Sequence, residues 1–306
     1  MSRNKGVQYL SSSEHSLKDY LPILSMAGLI LIVQVLALLL SMPMEINDMQ
    51  AFEDPTQVSN SIYYIVMILV FTLFVLIAIK KNMKWIISLL IYLAIVSTLY
   101  YVFFALFTLI PALAGLENIA SLLLSIGLTV LLYKYPEWYV IDLLGVCIAG
   151  GVSALIGISL SIIPVVVLLI LLAVYDAISV YKTKHMIAMA EGVMDLKLPI
   201  LFIIPKHLNY SFITEGFKEG EKREAFFMGL GDAVMPTLLV VSANVFLENG
   251  GLSYPVLGAM LGTLVGHIFL SILVMRGKPQ AGLPFLNSGA IIGFFIGVLF
   301  SGASIL

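Results

Sequence analysis

Nine runs of mostly apolar residues, most of them near the length of a bilayer span, leave this chain few choices of fold. They lie near 21–41, 62–80, 85–110, 119–133, 138–157, 164–182, 225–247, 253–275 and 282–302. A helix rising about 1.5 Å per residue crosses the hydrocarbon core in roughly 20 residues, and a segment in lipid must satisfy its own backbone. The predicted fold class is therefore an all-α polytopic membrane protein of nine transmembrane helices. Composition agrees, at 60% hydrophobic and 11% charged residues with a mean hydropathy of +1.06, values foreign to a soluble domain.

The boundaries come from punctuation. No charge appears between Leu143 and Tyr175, a stretch too long for one helix, and Gly157, Ser159, Ser161 and Pro164 mark the turn within it. The fourth run is the shortest. The first, Leu21 to Leu40, is too long for a signal-peptide core and has no small-residue cleavage site after it, so it reads as a retained anchor.

Charge asymmetry tests the count. With the N-terminus inside, the inner segments hold Arg3, Lys5 and Lys18; Lys80, Lys81 and Lys84; Lys134; Lys182, Lys184, Lys197, Lys206, Lys218, Lys222 and Arg223; and Arg276 and Lys278, which are all 16 basic residues of the chain. The outer segments carry only acids, among them Glu45, Asp48, Glu53, Asp54, Glu117 and Glu248. This positive-inside pattern predicts a cytoplasmic N-terminus and an extracellular C-terminus. The expected layout is one membrane-embedded domain over 1–306, with helices 1–6 at about 20–183, a cytoplasmic loop at about 186–223 and helices 7–9 at about 225–302. A multi-pass protein of the cell membrane follows, with the lipid bilayer as its surroundings.

Several classes fall away. A net charge of −2 with scattered basic residues gives no nucleic-acid surface. The single cysteine, Cys147, rules out a disulfide framework and reads as core. Gly258, Gly262 and Gly266 in the eighth run, and Gly289, Gly293 and Gly297 in the ninth, form small-residue seams suited to close helix packing.

Two acids at membrane depth need a reason. Asp142 is near the inner end of the fifth run beside Glu137, within reach of the headgroups, whereas Asp176 and Asp232 are not. Counted as helix from Lys182 and Arg223, they stand roughly 9 and 14 Å from the inner surface. A charged side chain there costs about 2.5 to 3.5 kcal/mol on insertion scales. Helices six and seven run antiparallel, so the two carboxylates can face each other. Two such acids cannot both ionise and share a proton, the arrangement of an aspartic protease dyad. Gly229 and Gly231 remove bulk around Asp232, and Pro236 loosens the helix beyond it. The same acids would also serve a proton- or cation-conducting transporter or leak channel, or a buried hydrogen-bonded pair, and the residues alone leave these open.

Tyr175-Asp176 on one helix and Gly229-Leu230-Gly231-Asp232 on the next resemble the YD and GxGD motifs of the presenilin and signal peptide peptidase family, the GxGD intramembrane aspartyl proteases. Motif order, helix order and nine-helix topology agree together, and the inside N-terminus is most like a microbial, archaeal presenilin homologue. The resemblance implies an intramembrane aspartic endopeptidase that hydrolyses peptide bonds in transmembrane helical substrates with Asp176, Asp232 and an activated water. It implies no cofactor and no metal, and leaves homo-oligomerisation open. Tyr175, Gly229, Leu230 and Gly231 become supporting residues.

The family's Pro-Ala-Leu motif at the ninth helix is matched in part. Here AGLPF places Ala281 and Gly282 where the family has proline and alanine, followed by Leu283 and Pro284, so Gly282, Leu283 and Pro284 are expected to support substrate binding. A literal Pro111-Ala112-Leu113 lies at the outer end of the third run, on the wrong side. The stretch LPILFIIP, 198–205, is too short to span and reads either as a strand for an extended substrate or as a segment packed on the inner surface.

Other hydrolases fit less well. Gly151-Val152-Ser153-Ala154 lacks the closing glycine of a rhomboid-type motif, and His267 beside the glycine seam reads as a core histidine. No HExxH occurs. Prepilin-type peptidases usually follow GxGD with lysine, where this chain has Ala233.

Overall fold

The computed structural model describes residues 17–81, 83–183, 201–207, 210–215, 225–247, 252–275 and 280–303. Its helices are α1 (Leu17–Ile46), α2 (Ser59–Lys80), α3 (Lys84–Thr108), α4 (Glu117–Lys134), α5 (Trp138–Ser159), α6 (Ile162–Ile178), α7 (Leu230–Phe246), α8 (Tyr254–Val274) and α9 (Leu283–Ser301). Among the described residues eight of these are long and apolar enough to cross a membrane, and α7, at 17 residues, is a shorter apolar helix. The protein is thus a polytopic helical membrane protein.

The seventh run differs from expectation at its start. Residues 225–229 form a strand, β2 (Ala225–Gly229), which pairs antiparallel with β1 (Leu201–Pro205), Leu201 opposite Gly229 and Pro205 opposite Ala225. The spans are helical, but the fold is not purely so. AFFMG is β-branch-free yet aromatic and too short to show a helical period, so pairing with β1 decides its state. The depth of Asp232 counted as helix from Arg223 does not apply, because five of the intervening residues are strand. Of the loop expected at 186–223, residues 186–200, 208–209 and 216–223 lie outside the described residues.

The turn between α5 and α6 falls at Leu160–Ser161, both extended, and Pro164 sits in the first turn of α6, where a missing N–H costs nothing. The 47–58 loop and the start of α2 strap this turn: Ala51 N–H donates to Ser159 Oγ at 2.8 Å, Ser161 N–H to Pro55 O at 2.9 Å, and Ser61 Oγ of α2 to Pro164 O at 2.6 Å.

The two glycine seams face each other. A Cβ at Gly258 would run into the carbonyl of Gly293, one at Gly262 into that of Gly289, and one at Gly266 into that of Phe285. Side-chain-free ridges let α8 and α9 meet backbone to backbone. The core lies among α1, α5, α6, α7 and α9, with Ile30, Val33, Leu168, Leu169, Leu238, Leu239 and Phe294 buried in one cluster. α5 is the most enclosed of the long helices, with Ala149, Gly150, Gly151 and Ala154 all buried.

Candidate active site

The end of α6 carries Asp176, buried at 3% exposure, with half-buried Tyr175 before it. Beyond Ile178 the helix widens into a π turn, Ser179–Thr183. Asp232, half-buried, is the third residue of α7. α6 and α7 are packed neighbours, and the two carboxylates are near enough to act on one another electrostatically.

Local rules explain how α7 presents its acid. Gly229 ends β2 and caps the helix with extended dihedrals, φ −62° and ψ 138°. Asp232 then stands at the third helical position and reaches back to the Gly229 backbone N–H, half of a capping box. A Cβ at Gly229 would sit 3.5 Å from Asp232 Oδ2, an ordinary contact, and one at exposed Gly231 would meet nothing within 4 Å. Open space at Gly231 leaves room beside the acid. Leu230 turns the other way and is buried in the core.

Pro236 lies inside α7 and deprives the Asp232 carbonyl of its helical donor. Neighbouring carbonyls are served by side chains: Thr237 Oγ1 donates to Ala233 O at 2.6 Å, and Ser153 Oγ, from α5, to Val234 O at 3.3 Å. Ser153 therefore braces the first turns of α7. His267, 2% exposed, points its Nε2 at Ile23 O of α1, 3.3 Å away. No hydrogen bond joins Ser153 to His267, and no group of three or more metal-ligating side chains occurs among the described residues.

The segment before α9 closes the site. Leu283 N–H donates to Asp176 Oδ2 at 3.1 Å, and the Gly282 N–H also faces Asp176. A Cβ at Gly282 would stand 2.7 Å from Asp232 Oδ1 and 3.0 Å from Oδ2, so glycine brings the backbone against the acid, and a larger residue here would turn the carboxylate aside. Pro284 occupies the first turn of α9, where it suits helix entry. Asn287 Nδ2, one turn on, donates to Leu169 O at 3.0 Å and ties α9 to α6. Leu283 thus meets Asp176, and Gly282 lies against both carboxylates. The literal Pro111–Leu113 is a 3-10 turn after α3 with no buried residue.

Three contacts near the site escaped the sequence reading. Asp142 is buried at 8% exposure, accepts the Ile203 N–H of β1 at 2.7 Å, and does not reach outward. Gly145, one turn along α5, makes room for the Phe202 ring, 3.1 Å from where a Cβ would be. Tyr181, on the π turn, donates to Gln280 Oε1 at 2.8 Å. None of the three partners lies near in sequence, so no local signal announces these contacts.

The family model described as signal-peptide peptidase, presenilin aspartyl protease matches residues 27–303. Two solved structures of a presenilin family intramembrane aspartate protease are similar. One, in space group C222, is 41% identical with a TM-score of 0.68, covering 92% of this chain and 100% of that chain. The other, in space group P2, is 42% identical with a TM-score of 0.69, covering 92% and 99%. The comparison with curated proteins gave no significant match. Matched along nearly its whole length, the chain belongs to the signal-peptide peptidase and presenilin family of intramembrane aspartyl proteases, and is an aspartic endopeptidase of the membrane.

Proposed function

We propose that Asp176 and Asp232 are the catalytic dyad that cleaves peptide bonds within transmembrane substrates. The observation that carries this reading is the meeting of two carboxylates from packed helices, each also facing a backbone N–H, Leu283 on Asp176 and Gly229 on Asp232. Two carboxylates that act on one another away from water hold one proton between them. The ionised member takes a proton from water as it attacks the carbonyl carbon. The protonated member donates to the developing oxyanion and afterwards to the leaving amine. The transporter reading of the same acids is not favoured, since the family is proteolytic.

A helical substrate hides its carbonyls in its own hydrogen bonds and must be extended first. β2 ends at Gly229, and Asp232 follows within one turn. The outer edge of β1 is occupied at Ile203 by Asp142. An extended substrate that reaches the end of this sheet comes to Asp232 by way of Gly229, where β2 runs into α7. Tyr175, Leu230, Gly231 and Pro284 shape the surroundings.

In this reading α7 completes nine spans, with β2 leading into its inner end. The N-terminus is cytoplasmic, the C-terminus extracellular, and the chain works as one domain of the cell membrane. The distribution of all 16 basic residues supports that orientation. Incubating the purified protein in detergent with a transmembrane peptide tests the function. Cleavage inside the apolar segment is expected from the parent, and none from Asp176→Ala or Asp232→Ala.

A further inference from the structure

We infer that Tyr181 is a positioning residue that clasps the 280–283 segment to α6, doing here what a proline does in the family's motif. The inference rests on the reading of Asp176 and Asp232 as the dyad. Ala281 is fully buried, and its N–H needs an acceptor. That acceptor is the Tyr181 hydroxyl, 3.4 Å away, which in turn donates its own proton to Gln280 Oε1 at 2.8 Å. One hydroxyl thus holds two consecutive residues of the segment whose next two residues touch the acids, Gly282 at Asp232 and Leu283 at Asp176.

The departure of Ala281 from the family's proline explains why this contact is needed. A proline has a fixed φ and no N–H, so it stiffens the approach to α9 and leaves no donor to satisfy. Alanine brings freedom and a buried donor, and Tyr181 answers both. The π turn carries Tyr181 just past the end of α6, five residues after Asp176, so the acid and the clasp move as one piece of chain.

The clasp acts on kcat rather than on substrate capture, because it fixes where Leu283 N–H and Gly282 meet the carboxylates. Tyr181→Phe keeps the ring and removes the hydroxyl. With the full chain in detergent and a cleavable transmembrane peptide, kcat should fall about three- to tenfold, the loss that follows from one uncharged hydrogen bond. KM and the melting temperature should stay near the parent's, and a hydroxyl-bearing transition-state isostere should lose affinity by the same factor as kcat.

The double-mutant cycle decides the mechanism. In an Ala281→Pro background the hydroxyl has no N–H to accept and keeps only Gln280, so Tyr181→Phe should cost clearly less than it does in the parent, whatever Ala281→Pro does alone. Should Ala281→Pro be inactive, Gln280→Ala serves as the second arm, and its combination with Tyr181→Phe should lose less than the product of the single effects. Parental kcat in Tyr181→Phe overturns the inference, as do strictly multiplicative losses in the cycle or a loss confined to KM. Activity in Asp176→Ala instead removes the dyad reading beneath it, whereas a dead Asp176→Ala with a neutral Tyr181→Phe removes the clasp alone.

Discussion

Asp142 on α5 and Asp232 on α7 hold opposite edges of one small sheet: Asp142 Oδ1 accepts the Ile203 N–H of β1 at 2.7 Å, and Asp232 faces the Gly229 N–H of β2. Leu201 opposes Gly229 and Ile203 opposes Phe227. N–H groups that point outward at 203 and 229 make these the non-hydrogen-bonded pairs of the ladder, leaving the intervening pairs to bond the strands. A carboxylate on each flank is how a two-stranded sheet, marginal by itself, is kept in register beside the acids.

Removing the first of these carboxylates should therefore be felt at the second. Asp142→Leu leaves the Ile203 N–H buried without an acceptor, a cost of about 1–3 kcal/mol, and frees β1 to shift. Asp142→Asn keeps an oxygen in place. We expect the leucine variant to melt earlier and to cleave a transmembrane peptide more slowly, with the asparagine variant close to the parent. Thermal unfolding in detergent and peptide cleavage check both, and equal losses from leucine and asparagine would point to charge instead of the acceptor.

The helical spans and the two acids were legible because lipid imposes strong rules on sequence: length, positive-inside charge and the expense of an intramembrane carboxylate. The glycine seams were legible for the same reason, since close approach in lipid needs missing side chains. What stayed hidden depends on partners far along the chain. Asp142 meets a residue 61 positions away and Tyr181 one 99 positions away. β2 was read as helix because five apolar residues continuous with an apolar helix carry no period of their own. Ser153 stands in an incomplete nucleophile motif, and the proline-containing helix beside it shows what its hydroxyl serves.

The seam between α8 and α9 predicts opposite outcomes for one substitution at two glycines. At Gly262 a Cβ would collide with the Gly289 carbonyl, so Gly262→Ala must push the helices apart, at about 1–3 kcal/mol for overpacking. At Gly127, in α4, a Cβ meets nothing within 4 Å. Gly127→Ala should be neutral or gain up to about 1 kcal/mol from helix propensity. Melting temperatures of the two variants in the same detergent make the comparison, and the close packing is refuted if they shift alike.

Orientation is tested without reference to catalysis. In a Cys147→Ser background, single cysteines between 45 and 60 and after Ser301 should react with an impermeant thiol reagent added outside cells. Cysteines between 186 and 223 should react only after the membrane is opened. Reversed accessibility would put the dyad nearer the outer face.

Inhibition and pH together separate an acid pair from every other hydrolytic chemistry. A hydroxyl-bearing peptide isostere imitates the tetrahedral intermediate, so it should occupy the water's place and exchange hydrogen bonds with Asp176 and Asp232 at once. Inhibition is expected. A serine-directed fluorophosphonate should do nothing, since the Ser153 hydroxyl is spent on Val234 O and His267 is turned to Ile23 O. A zinc chelator should also do nothing to a reaction run by two carboxylates. Because one proton must be present on the pair and a second absent, kcat/KM should rise and then fall with pH, its limbs belonging to the pair and not to either residue. Replacing either acid by asparagine should abolish activity at every pH, because an amide cannot pass the proton on. Measured on one transmembrane peptide, chelator sensitivity, or a rate that climbs steadily with pH while the isostere has no effect, would reject the dyad.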